Sequence, residues 1–193
     1  MSLRGLTGLI LAALLSGCAS HLAPPPTGLE LLPAEPTLWK LSLARGDRTL
    51  YSGLLLLSRV EAGGRLVLLD STGIKLLEER LDGVGEVSGI KALRQVADRG
   101  LPALLGRSIY RLFLTAPPEA GKTCRPQSPG ELCLGLDSAG RLVKIRRWGP
   151  FVLWEGAYSI NNGEPVRQTV EASLGGGWFT PEVRLRRQFE AAE

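Results

Sequence analysis

Between residues 37 and 189 the chain alternates apolar and polar side chains in short runs, each closed by a turn rich in glycine, serine or asparagine. That period of two belongs to strands of an antiparallel sheet. Trp39, Leu41 and Leu43 alternate with Lys40, Ser42 and Ala44, and Gly46-Asp47 marks a turn before a strand over 49–59. Runs over 65–70 and 74–81, introduced by Gly63-Gly64 and Ser71-Thr72-Gly73, continue the series as hairpins. Further strands are expected over 108–115, 131–136, 141–148, 151–160, 165–174 and 183–189, with Asn161-Asn162-Gly163 as a hairpin turn because Asn and Gly tolerate positive φ. Only 88–106 changes period. There Ile90, Leu93, Val96, Ala97, Leu101, Leu104 and Leu105 recur at helical steps, with Ser88 as N-cap, Gly106 as C-cap and an interruption at Gly100 and Pro102. The expectation is a mainly β (α+β) domain of about ten strands and one helical segment.

The two halves of this sheet differ. Late strands alternate cleanly, as in Val183, Leu185 and Phe189 against Arg184, Arg186 and Gln188, so one face there is wet. Early strands carry apolar residues on both faces, as in Leu54-Leu55-Leu56-Leu57 and Leu66-Val67-Leu68-Leu69. A second apolar face needs a cover, and the helical segment is the one long candidate.

The N-terminus carries an address. Arg4 precedes an apolar stretch from Leu6 to Leu15 that is too short for a membrane-spanning helix, the pattern of a signal peptide over residues 1–17. The ending Leu15-Ser16-Gly17-Cys18 resembles the bacterial lipobox, which implies a thioether-linked diacylglycerol on Cys18, cleavage before it, and acylation of the new amine with a palmitate-type chain. The other reading is an ordinary secreted protein with Cys18 incidental. Ala19 stands where an aspartate tends to retain such proteins in the inner membrane, so the resemblance points to the outer membrane of a Gram-negative bacterium, facing the periplasm. Prolines 24, 25, 26, 33 and 36 make residues 18–36 read as a lipidated tether, followed by a single domain over 37–193.

Losing the leader removes only Arg4 and leaves a net charge of +3. So mild a balance gives no reason to expect nucleic acid as a partner. Cys124 and Cys133 remain as an even pair in an oxidising compartment and are expected to form a structural disulfide; a redox or metal pair is the alternative, without a Cys-x-x-Cys spacing or histidine neighbours to support it. The single histidine, His21, lies in the tether, so no histidine-centred triad or zinc cluster can form inside the domain. Gly121-Lys122-Thr123 lacks the first glycine of a phosphate loop, and Gly83-Val84-Gly85 lacks the third of a dinucleotide fingerprint. Asp70, Glu78, Glu79 and Asp82 flank hairpin turns and read as a solvated edge rather than an acid/base pair. Neither catalysis, a cofactor nor a metal is expected. Lys144 with Arg146, and Arg184 with Arg186, share faces by the two-residue period and make a cationic outer surface that either solubilises the domain or docks lipid headgroups or a partner. The tryptophans 39, 148, 154 and 178 read as core or as ligand-stacking residues.

The order of strands, one mid-chain helix and strands, with LVLLDSTGIKLLEERLDG (66–83) and the late GGGWFTPEVRLRR (175–187), resembles the LolA/LolB-like lipoprotein-carrier superfamily. It is similar, more closely, to bacterial lipoproteins of this size, some encoded beside aryl-polyene or lipid biosynthesis genes. The resemblance implies a curved antiparallel sheet or incomplete β-barrel with the helical segment as a lid over an apolar cavity for acyl chains. Candidate lining residues, chosen by periodicity, are Trp39, Leu41, Leu55, Leu57, Leu66, Leu68, Leu76, Leu93 and Leu104. The functional expectation is a non-catalytic, membrane-anchored lipoprotein that binds or transfers acyl chains or lipids, with a monomer favoured. Its partners are membrane lipid through the acylated N-terminus and an acyl-chain or lipoprotein ligand. The alternative is an interaction lipoprotein with a packed core whose basic face docks an envelope partner.

Overall fold

The structure is a computed structural model in which residues 22–26, 29–32, 34–61, 63–161, 167–175 and 180–188 are described. Twelve strands form one curved, unclosed sheet, antiparallel throughout its main path. They are β1 (Leu29–Glu30), β2 (Thr37–Arg45), β3 (Arg48–Val60), β4 (Gly63–Leu69), β5 (Lys75–Leu81), β6 (Val87–Ala92), β7 (Cys124–Pro126), β8 (Glu131–Leu136), β9 (Leu142–Trp148), β10 (Phe151–Ile160), β11 (Arg167–Leu174) and β12 (Glu182–Arg187). Two meanders, β2 to β6 and β7 to β12, meet where β12 pairs with β2, so β6 and β7 are left as the two edges. The short β1 adds to β11 in parallel.

Alternation decides the faces. Thr37, Trp39, Leu41 and Leu43 of β2 point inward, and the register carries the Trp39 row across Leu55, Leu68 and Leu77. The next row runs Thr37, Leu57, Leu66, Glu79, placing a carboxylate in line with core leucines. Into the concave side drops the helical segment: α1 (Arg94–Ala97), α2 (Leu101–Ile109) and a π-helical continuation over Tyr110–Leu114. Leu105, Ile109, Leu112 and Phe113 fill the trough, and Phe113 packs on Trp39 with ring centroids 5.4 Å apart.

Three expectations are corrected. Residues 88–92 are an edge strand and 108–114 are helical, so the helix lies further along the chain than the periodicity of 88–106 indicated. Gly106 is not a C-cap but an interior helical residue, because a bare Cα lets α2 approach the sheet: an added Cβ would stand 2.6 Å from Val87 Cγ2 and 3.0 Å from Glu79 Oε1. Finally, residues 18–36 are not a free tether throughout. Ala23 exchanges two 2.9 Å backbone hydrogen bonds with Leu136, and Leu31 and Leu32 join the core. Burial of those leucines outweighs the extended bias of the prolines around them.

Cys124 and Cys133 face each other across the β7–β8 ladder and form the disulfide. No helix among the described residues is long and apolar enough to cross a membrane. Cys18 and the leader, His21 and Trp178 lie outside the described residues.

Candidate functional site

The expected lining residues do not border open space. Trp39, Leu41, Leu55, Leu57, Leu66 and Leu68 are buried in one packed cluster, Leu76 and Leu104 are half-buried beside it, and Leu93 is 50% exposed. None of them lines the prominent grooves among the described residues. The helical segment occupies the trough that an acyl chain would need.

How that segment is seated is unusual in chemistry. Its last carbonyls have no helical partners, as at any helix end. Lys144 of β9 supplies donors: its Nζ lies 3.1 Å from Leu112 O and 2.8 Å from Thr115 O. Tyr158 of β10 donates to the same Leu112 carbonyl at 2.7 Å. Gly156, next to them, makes room for Leu112, since a Cβ there would stand 2.8 Å from its Cδ2. Burial pulls the Lys144 ammonium down to about 7, helped by the nearby Arg125 charge.

The other polar intruder is Glu79. Both its carboxylate oxygens are shielded from solvent under Gly106 and have no hydrogen-bond partner among the described residues, and burial raises its pKa to about 8. The solvated edge expected for the acidic residues therefore fails at this position, while it holds for its neighbours. Asp70 and Asp82 cap turns by accepting from Thr72 and Ile74 and from Val84 and Glu86, and Glu78 is held down to about 2 by Lys75 and Arg65 on the outer face.

The basic strands separate in the same way. Arg184 and Arg186 lie on the outer face as expected, paired with Glu182 and Glu171, beside a shallow groove of about 460 Å³ floored by Ser42 and Ser173. Lys144 and Arg146 point inward instead, on the face of β9 that carries the core residue Leu142. Arg146 opens on a groove of about 360 Å³ between the Asp82–Glu86 turn, the helical segment and β10, which Arg107, Arg111, Tyr110, Gln127 and Trp154 also line. Arg111 lies over the Trp154 ring, 5.7 Å from its centroid. Nothing in the two-residue period distinguishes an inward cation from an outward one; the alternating Val143 and Ile145 argue for the opposite assignment, and Leu142, on the cations' own face, is the one residue that points inward.

Between Arg146 and Trp154 in the chain, the β9–β10 turn exposes Trp148, Phe151, Val152 and Leu153. No known family model matches the chain, and no curated protein is detectably similar to it in sequence.

Proposed function

We propose that this chain is a lipid-anchored periplasmic protein that binds acyl chains between its curved sheet and the helical segment, which must withdraw to admit them. One observation carries the reading: the apolar trough is filled by a single segment, 101–114, whose seat contains the buried polar groups Glu79 and Lys144. A permanently closed core gains nothing from a buried carboxylate without a partner, whereas a removable cover is favoured by a seat that is not uniformly apolar. The segment is also flanked by exposed residues, 98–100 and 119–122, that let it move as a unit. Acyl chains would replace its leucines at about 25 cal/mol per Å² removed from water. No covalent step is involved.

Native mass spectrometry of the mildly purified full-length protein is the test, together with displacement of a fluorescent fatty acid. Retained lipid, and stronger probe binding by Gly106→Leu, which wedges the cover away from Val87 and Leu81, support the carrier. A protein that carries nothing and ignores the probe in both forms leaves the second reading, an anchored adaptor, which the filled trough favours.

A further inference from the structure

We propose that the groove bounded by Arg107, Arg111, Arg146 and Trp154 is a binding site for a phosphate ester, borne either by a lipid headgroup or by a soluble molecule. The inference goes beyond the acyl-carrier reading and does not need the trough to open.

Charge balance sets this groove apart from the one beside β12, where Arg184 is answered by Glu182, Arg186 by Glu171 and Arg141 by Asp137. Among the described residues no carboxylate lies within ion-pair distance of Arg107, Arg111, Arg125, Lys144 or Arg146. Yet they repel in two sets, Arg107 with Arg111 and Arg125 with Lys144 and Arg146, and Arg107, Arg111 and Arg146 line the groove itself. Desolvation and then Arg107 lower the Arg111 pKa, and desolvation and then Arg125 lower those of Lys144 and Arg146. A solubilising surface would spread such charges into water. Here Arg146 is only 6% exposed, covered although it lies just beneath the surface rather than deep in the core.

The donors are also unspent. A guanidinium carries five N–H groups. Arg146 uses one set on the Gln127 carbonyl, and Arg111 is held by its face on Trp154 and makes no side-chain hydrogen bond among the described residues. Arg107 is exposed at the mouth. Planar forks with free N–H groups, pre-positioned by an aromatic ring and a backbone carbonyl, suit the several oxygens of a phosphate, which accepts paired hydrogen bonds and cancels the mutual repulsion. A dianion answers this surplus better than a single carboxylate.

Isothermal titration of the full-length protein with inorganic phosphate, and with a short-chain phosphatidic acid below its micelle concentration, tests the site against sodium chloride at matched ionic strength. Saturable binding of either ligand is expected, weakened at least tenfold in Arg107→Gln/Arg111→Gln and to a lesser degree in Arg107→Gln alone, whose exposed position leaves the unliganded melting temperature within a degree or two. Equal affinity for both ligands assigns a soluble phosphate ester; a strong preference for the lipid assigns a headgroup. Binding no stronger than chloride, or unchanged in the double variant, overturns the proposal. Uptake of the fatty-acid probe is measured separately, so a shut trough and an empty anion site give different results.

Discussion

Glu79 and Lys144 are single residues whose titration marks the seat of the cover from both ends. The Glu79 carboxyl has a folded pKa of about 8 against 4.5 in the unfolded chain. The folded state therefore holds a proton that the unfolded state releases, and stability falls as pH rises from about 4.5 to about 8, by at most roughly 3 kcal/mol at neutral pH. Lys144 works in the opposite direction. Its folded pKa of about 7 lies below the 10.5 of a free lysine, so the unfolded chain binds the extra proton and stability rises with pH between those values. Urea unfolding followed across pH should show a trough between about 7 and 8, with Glu79→Gln flattening the acidic limb and Lys144→Met the basic one. Lys144→Met also leaves the buried Leu112 and Thr115 carbonyls without their lysine donor, a loss of about 2 to 3 kcal/mol in urea. Neither role is legible in sequence: both residues sit inside strands whose alternation assigns them to a face but says nothing about what lies above it.

At the scale of elements, most strands were readable, and so were the helical segment's existence and its break at Gly100, but not its bounds. Alternation and turn residues locate β2 to β5 and β8 to β12 well, because each strand's inward positions are set by the pleat alone. The helical segment was displaced because Ser108 to Thr115 also satisfies a strand pattern, and only the continuation Leu101, Leu105, Ile109, Leu112 on one helical face settles the choice. Gly106 holds the decisive contact of that helix. Gly106→Leu should destabilise by roughly 2 kcal/mol despite leucine's better helix propensity, since the overpacking at Val87 and Leu81 exceeds the propensity gain of about 1 kcal/mol. Thermal unfolding of the variant checks this. The β7–β8 hairpin depends instead on its disulfide, which closes a sequence separation of 9. Replacing both cysteines by serine should lower stability by about 2 to 3 kcal/mol in urea and loosen the Gln127 carbonyl that holds Arg146.

For the whole molecule, the docking of the N-terminal segment controls orientation if Cys18 carries the proposed lipid. Only four residues separate Cys18 from Ala23, and Ala23 is bonded to Leu136 at the end of β8, so Ala23 lies within about 17 Å of Cys18 and the end of β8 within about 22 Å, whatever path the chain takes. Proline content suggested a long tether; the buried Leu31 and Leu32, visible in the sequence as an apolar run between prolines, shorten it. The exposed turn around Trp148 and Phe151 is at the other end of β9, roughly 20 Å away, since Leu136 pairs with Leu142 at the start of that strand. The cationic groove lies toward the same end of β9 as that turn, beside Arg146 and Trp154. Spin labels placed one at a time at Ala139→Cys, in the exposed Asp137–Arg141 turn, and at Phe151→Cys in the membrane-anchored protein report the difference. The label at 139 should be relaxed by a headgroup-bound paramagnetic ion and the label at 151 should not. The reverse order would mean that the apolar turn, and not the short N-terminal connection, decides which way the sheet faces.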